Sequence, residues 1–205
     1  MRLYFDTVVM EDDNRSLIER FSKFRTYVGS FVKSLILLQT GPQGRYVSSI
    51  LSSCPNLQQL GISWQRGFDP TPRSRFFPSK LPFHLRLLVL SSIGRQKVLV
   101  DLIRKQRMTI VHLQTRIDHE DLDLPMPLLR VLGGPMELLM SHLRSSPEIR
   151  CYELDYITAT TPCYAPSIRA LRVWLSSISL IHIPNMFPNL RFMEFLDVSL
   201  LFLDY

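Results

Sequence analysis

Ile50-Leu51-Ser52-Ser53-Cys54-Pro55-Asn56-Leu57-Gln58-Gln59-Leu60-Gly61-Ile62 is the stretch whose reading decides the fold. Val47, Ile50, Leu51 and Cys54 fall at helical spacing. Pro55 then stops the helix, because proline lacks the backbone N–H and biases its neighbour toward an extended conformation. Leu57, Leu60 and Ile62 follow as apolar-x-x-apolar-x-apolar, a turn running into a strand. The phrase returns near the other end as Pro188-Asn189-Leu190-Arg191-Phe192-Met193-Glu194-Phe195.

Six further segments carry the same pattern: Val32/Leu35/Leu37, Leu85/Leu88/Leu90, Ile110/Leu113 with Thr115 third, Leu128/Val131 with Gly133 third, Ile149/Tyr152/Leu154 and Ile168/Leu171/Val173. Their starts recur at roughly 18–28 residues, around the range of about 20–29 that marks leucine-rich repeats and shorter than most βαβ units. Pro55, Pro147, Pro166 and Pro188 each stand two residues before a start. The expected fold is therefore α/β: a single leucine-rich-repeat solenoid over 1–205, with about eight full repeats and a partial first one. It would have a curved parallel sheet on its concave face, and helices and irregular segments on its convex face.

Further helical faces are expected at Leu17/Ile18/Phe21/Phe24, at Leu99/Leu102/Ile103 and at Met136/Leu139/Leu143. The convex sides over 157–167 and 176–188 are rich in Ser, Thr and Pro and predict irregular or 3₁₀ backbone. Residues 64–82, with Gly67, Pro70, Pro72 and Pro78, predict a surface loop insertion. Phe195 to Leu203 predicts a terminal strand whose outer edge and last core side chains are uncovered. No capping unit is recognisable at either end, which suggests a piece of a longer protein.

Composition places the chain among ordinary globular domains, at 46% hydrophobic and 20% charged residues. No apolar run approaches the roughly 18 residues of a membrane span, and the N-terminus lacks the form of a signal peptide. The three cysteines are odd in number and scattered, which favours a reducing, intracellular compartment, cytoplasmic or nuclear. Cys54 lies on the apolar helix face and is expected to be buried.

Catalytic motifs are absent: there is no phosphate loop, no nucleophile elbow and no paired zinc histidines. No catalytic, cofactor or metal residue is assigned, and the chain is read as a non-enzyme. His112 and His119, with Asp118, Glu120, Asp121 and Asp123, are read as a polar loop after a strand rather than a metal site. What can be derived is a binding face, since strand side chains alternate. If positions one, four and six of the pattern point inward, the other face carries Gln59; His112, Gln114 and Arg116; Arg130, Leu132 and Gly134; Glu153 and Asp155; Arg172 and Trp174; and Glu194. Trp174 beside Arg172, Glu153 and Asp155 has the composition of a protein-binding hot spot. It equally suits an Arg172–Glu153 cross-strand pair beside a covered tryptophan.

The helix ending in Cys54-Pro55-Asn56-Leu57, and the phrase Leu128-Leu129-Arg130-Val131-Leu132-Gly133-Gly134-Pro135-Met136-Glu137-Leu138-Leu139, resemble F-box leucine-rich-repeat proteins, especially their irregular fungal members. The resemblance covers nearly the whole chain. It implies an N-terminal F-box that docks on the adaptor of a cullin ubiquitin ligase, with the repeats selecting the substrate. No F-box is present: no three-helix, Leu-Pro-led segment precedes the first repeat. The function expected is a protein–protein interaction module, the substrate-recognition region of such a receptor. Two alternatives stay open, a free-standing scaffold or fragment, and a weak nucleic-acid binder. The net charge of +6 would suit the latter, but the basic residues are spread along the chain apart from Arg66 to Lys80 and Arg104/Lys105/Arg107. The partners expected are therefore a protein on the concave face and no membrane.

Overall fold

The computed structural model describes residues 7–11, 29–40, 45–64, 77–91, 97–117, 122, 124–154, 163–174 and 183–196. The chain forms two compact units, Met1–Ile110 and Val111–Tyr205. Both are α/β with parallel strands. The expected helix at Leu17 to Phe24 and residues 65–76 of the 64–82 insertion lie outside the described residues.

The first unit carries β1 (Thr7–Glu11), β2 (Ser34–Thr40), β3 (Gln59–Trp64) and β4 (Leu87–Ser91). Each strand pairs in parallel with the next in the chain. Leu35, Leu60 and Leu88 stand in one row across the sheet, all fully buried. Helix α1 (Arg45–Ser52) links β2 to β3, and α2 (Lys97–Gln106) follows β4. The helical spacing read from Val47, Ile50, Leu51 and Cys54 holds, since all four are buried.

The second unit carries β5 (His112–Thr115), β6 (Val131–Gly134), β7 (Cys151–Leu154), β8 (Ala170–Trp174) and β9 (Phe192–Leu196), again in chain order and parallel. Helix α3 (Met136–Ser145) crosses from β6 to β7, and the short α4 (Ile183–Met186) precedes β9. Leu113, Leu132, Tyr152 and Leu171 form the inward row and are fully buried.

The repeats are the same object in hydrogen bonds as well as in sequence. The N–H of the first inward residue closes a turn onto the carbonyl three residues earlier at Val32, Leu57, Leu129, Ile149, Ile168 and Leu190. Ile110 closes onto the Gln106 carbonyl four residues earlier, and Leu85 departs further. Its N–H donates instead to Oε1 of buried Gln106 at 2.9 Å, whose Nε2 donates to the Phe83 carbonyl. Asn56 and Asn189, both in Pro-Asn-Leu, donate to the Ser30 and Pro166 carbonyls one repeat back. These donations explain why an asparagine follows the proline there.

One strand differs in phase from the sequence reading. At β6 the inward residues are Leu129, Leu132 and Gly134, not Leu128, Val131 and Gly133. Leu128 is 49% exposed and the turn closes from Leu129 to Met126. A slip of one residue moves every side chain to the opposite face, so Arg130, Leu132 and Gly134 leave the proposed binding face and Val131 and Gly133 join it. A second difference lies in β9, where Met193, expected in the core, is 40% exposed; Phe195, the expected start of the uncovered terminal segment, is 46% exposed. β9 is the last strand of the described sheet, and the remainder of the expected terminal segment, 197–203, is outside the described residues.

Candidate functional site

The side chains on the face of β5 to β9 opposite the inward row are set by register. Gln114, Gly133, Glu153, Arg172 and Glu194 stand in one line across five adjacent strands. Three of them are joined: Arg172 donates from Nη1 to Glu153 Oε1 at 2.7 Å and from Nε to Glu194 Oε2 at 3.0 Å. His112, two residues before Gln114, meets Glu153 Oε2 at 3.1 Å through its Nε2. The contact spans from β5 to β7, over β6. It is possible because β6 presents Gly133 there. A Cβ on that residue would lie 2.9 Å from Gln114 Cγ and 3.2 Å from both Glu153 Cβ and Oε2.

Glu153 is therefore not an exposed contact residue, as the alternation suggested. It is 4% exposed, with each carboxylate oxygen taken by a neighbour. Burial alone would raise its pKa, but the hydrogen bonds and charges of His112 and Arg172 outweigh burial and hold it below the ordinary 4.5. The hydrogen bond to Glu153 in turn raises the pKa of Arg172. Breaking such a buried, doubly bonded carboxylate is costly even where the intact pair adds little net stability.

The linkage has a definite sign. A carboxyl whose folded pKa is depressed gives stability that is complete above its unfolded value and lost as pH falls through its folded value. Glu153 should thus stabilise the second unit above pH 4.5 and lose that contribution progressively below it. Urea unfolding of wild type and Glu153→Gln between pH 7 and pH 3 checks this. The gap between the two proteins should narrow as pH falls. A gap constant across the range would show that the ionised carboxylate is not what the site depends on.

Of the other expected residues, Gln114 is part-exposed and in line with the charged row, and Arg116 is exposed just past β5. Gln59 is exposed on β3 in the first unit and is not part of the row of the second. Trp174 belongs to β8 and its backbone pairs with Leu196, but its side chain, like all of Asp155, is outside the described residues. So are His119 and its acidic neighbours. Among the described residues no group of three or more His, Cys, Asp or Glu is placed to hold a metal ion, and no helix is long and apolar enough to cross a membrane.

The cysteines are free thiols. Burial pushes the Cys54 thiol up to about 12 and Cys163 to about 11. Burial also raises Cys151, against the partial offset of Arg172. Thiols held this high carry little thiolate at neutral pH and are poor nucleophiles. Sequence reasoning named His112 and Glu153 separately but missed their bond. The signal that could have found it is Gly133 between them, a residue without a side chain in a row of long polar ones.

The sequence matches no protein-family model and no curated protein.

Proposed function

We propose that the chain is a leucine-rich-repeat protein whose sheet face binds another protein, serving as the substrate-recognition region of an F-box type ubiquitin-ligase receptor. The observation that carries the repeat reading is the recurrence of one unit: a turn closed by the first apolar residue, then a parallel strand paired to its chain neighbour. Such units present one set of side chains per repeat on a common face, which is how repeat proteins build extended binding surfaces. On the second unit that face carries the pre-ordered row Glu153–Arg172–Glu194. Side chains already held by one another lose less freedom when a partner docks. The ligase role rests on the likeness of the repeats to that family.

The test uses Gln114→Ala combined with Glu194→Ala. Both side chains are part-exposed, and the change leaves both Glu153 contacts in place. Partners captured by wild type should be lost by the double variant, with at least about 2 kcal/mol of binding removed if the pair lies in a hot spot, at unchanged thermal stability. Equal recovery would eliminate this face. The ligase role is tested separately, by probing the product of the natural gene for co-purification of the cullin adaptor. Partners without adaptor would leave a free-standing scaffold.

A further inference from the structure

The corrected phase of β6 brings out a row that the sequence pattern had hidden. In the second unit the residue just after each first inward position is Arg130, Arg150, Arg169 and Arg191. These four are equivalent in the backbone. Val111 and then each arginine up to Arg169 offers its carbonyl to two N–H groups of the following repeat: Arg130 and Val131 to Val111, Arg150 and Cys151 to Arg130, Arg169 and Ala170 to Arg150, Arg191 and Phe192 to Arg169. Identical backbone roles in a parallel ladder place the four side chains along one border of the sheet, a strand spacing of about 4.7–4.9 Å apart. All four are exposed. Arg150 is held back by the Pro147 and Ile149 carbonyls and faces Glu148 at 3.7 Å. Arg130, Arg169 and Arg191 make no ion pair or side-chain hydrogen bond among the described residues.

Four guanidinium groups in line, three of them with their forks unused, invite a series of anions. The surrounding charge selects which. Residues 111–205 contain seven Arg and no Lys against eleven Asp and Glu, so this unit has no broad positive field of the kind that gathers a phosphate backbone. Recognition here must come from short bidentate contacts, which arginine makes well with discrete carboxylates. A helix repeats every 5.4 Å, close to the strand spacing. Carboxylates once per turn would meet successive arginines with a mismatch of roughly 0.6 Å per step, which flexible arginine stems absorb. Exposed Leu128 in the repeat of Arg130 and Phe192 beside Arg191, 49% and 57% exposed, supply apolar shoulders at the two ends of the row.

We infer that this arginine ladder binds an acidic helical segment of a partner protein, one presenting Asp or Glu once per turn. The surface is separate from the Glu153–Arg172–Glu194 row, so the inference stands or falls independently of the face tested above.

The experiment is fluorescence anisotropy with the full chain and three labelled probes. The first is a synthetic helical peptide with Glu at i, i+4, i+7 and i+11. The second is a peptide of the same composition with its Glu residues spread around the helix. The third is a thymidine single strand. The striped peptide should bind, more weakly as salt rises, and at least about tenfold more tightly than the spread control, a difference of about 1.4 kcal/mol. R130Q/R169Q/R191Q should lose at least about tenfold in affinity, and the matching triple Lys variant should recover only part of it, having the charge without the fork. Circular dichroism melts confirm that the variants fold, as exposed positions allow. Failure of wild type to bind the striped peptide, equal binding of the spread control, or an undiminished triple Gln variant would each overturn the inference. Tighter ladder-dependent binding of the thymidine strand would overturn it in favour of nucleic acid.

Discussion

Replacing Gly134 with alanine should unfold much of the second unit's sheet under conditions where the wild type is stable. Gly134 ends β6 with φ at +147°, a conformation that side chains other than hydrogen rarely adopt. A Cβ there would also overlap the Thr115 carbonyl oxygen of the neighbouring strand and crowd Leu138 of α3 at 3.1 Å. The first obstacle is backbone, so no rotamer change relieves it. Conformational strain and forced overlap together should cost roughly 2–6 kcal/mol. The carbonyl of Gly134 also accepts the hydroxyl of fully buried Tyr152 at 2.7 Å, so any shift of this residue disturbs the core. Urea titration followed by circular dichroism is the check. Gly133→Ala is the control, because its added Cβ meets only side-chain atoms. It should cost less stability while separating His112 from Glu153. An unfolding midpoint for Gly134→Ala equal to that of wild type would contradict the geometry.

Leu60→Ala should strongly destabilise the first unit. Leu60 is fully buried, flanked in register by Leu35 and Leu88, which are equally buried. Strands on both sides prevent collapse into the space left, so the cost should lie in the range of about 2–5 kcal/mol seen for buried leucine truncations. Gln59→Ala, one residue away on the exposed face, should change stability by no more than about 0.5 kcal/mol. The contrast between adjacent residues is the test, since it reports the strand's alternation directly. Comparable losses at both positions would mean that the strand does not alternate as described.

Leu60 and Ile62 could be placed from the sequence because Gln59, Gly61 and Ser63 alternate cleanly around them. Leu128-Leu129-Arg130-Val131-Leu132 could not, since apolar residues fill both phases and periodicity has nothing to choose between. What decides there is the Leu129 N–H closing on Met126, a backbone bond with no sequence signature of its own. The candidate site divides in the same way. Arg172 beside Glu153 followed from repeat alignment, because their strands are neighbours. The reach of His112 to Glu153 depends on what an intervening strand lacks. The exposure of Met193 was hidden for a related reason. Its spacing is that of a core residue, but spacing reports which way a side chain points and not whether anything meets it.

Within each unit, every strand pairs with the strand that precedes or follows it in the chain. Parallel sheets usually demand long connections and form slowly, because closure of a distant loop must precede any gain from pairing. Here each pairing closes only one repeat, so the ordering of one strand is a local step onto a template already built. Such a sheet can grow as the chain emerges during synthesis, each repeat docking before the next is made. At every stage the newest strand offers its open edge to whatever chain is nearest. The fold therefore exchanges a slow, global search for a fast assembly whose moment of exposure always lies at its growing end.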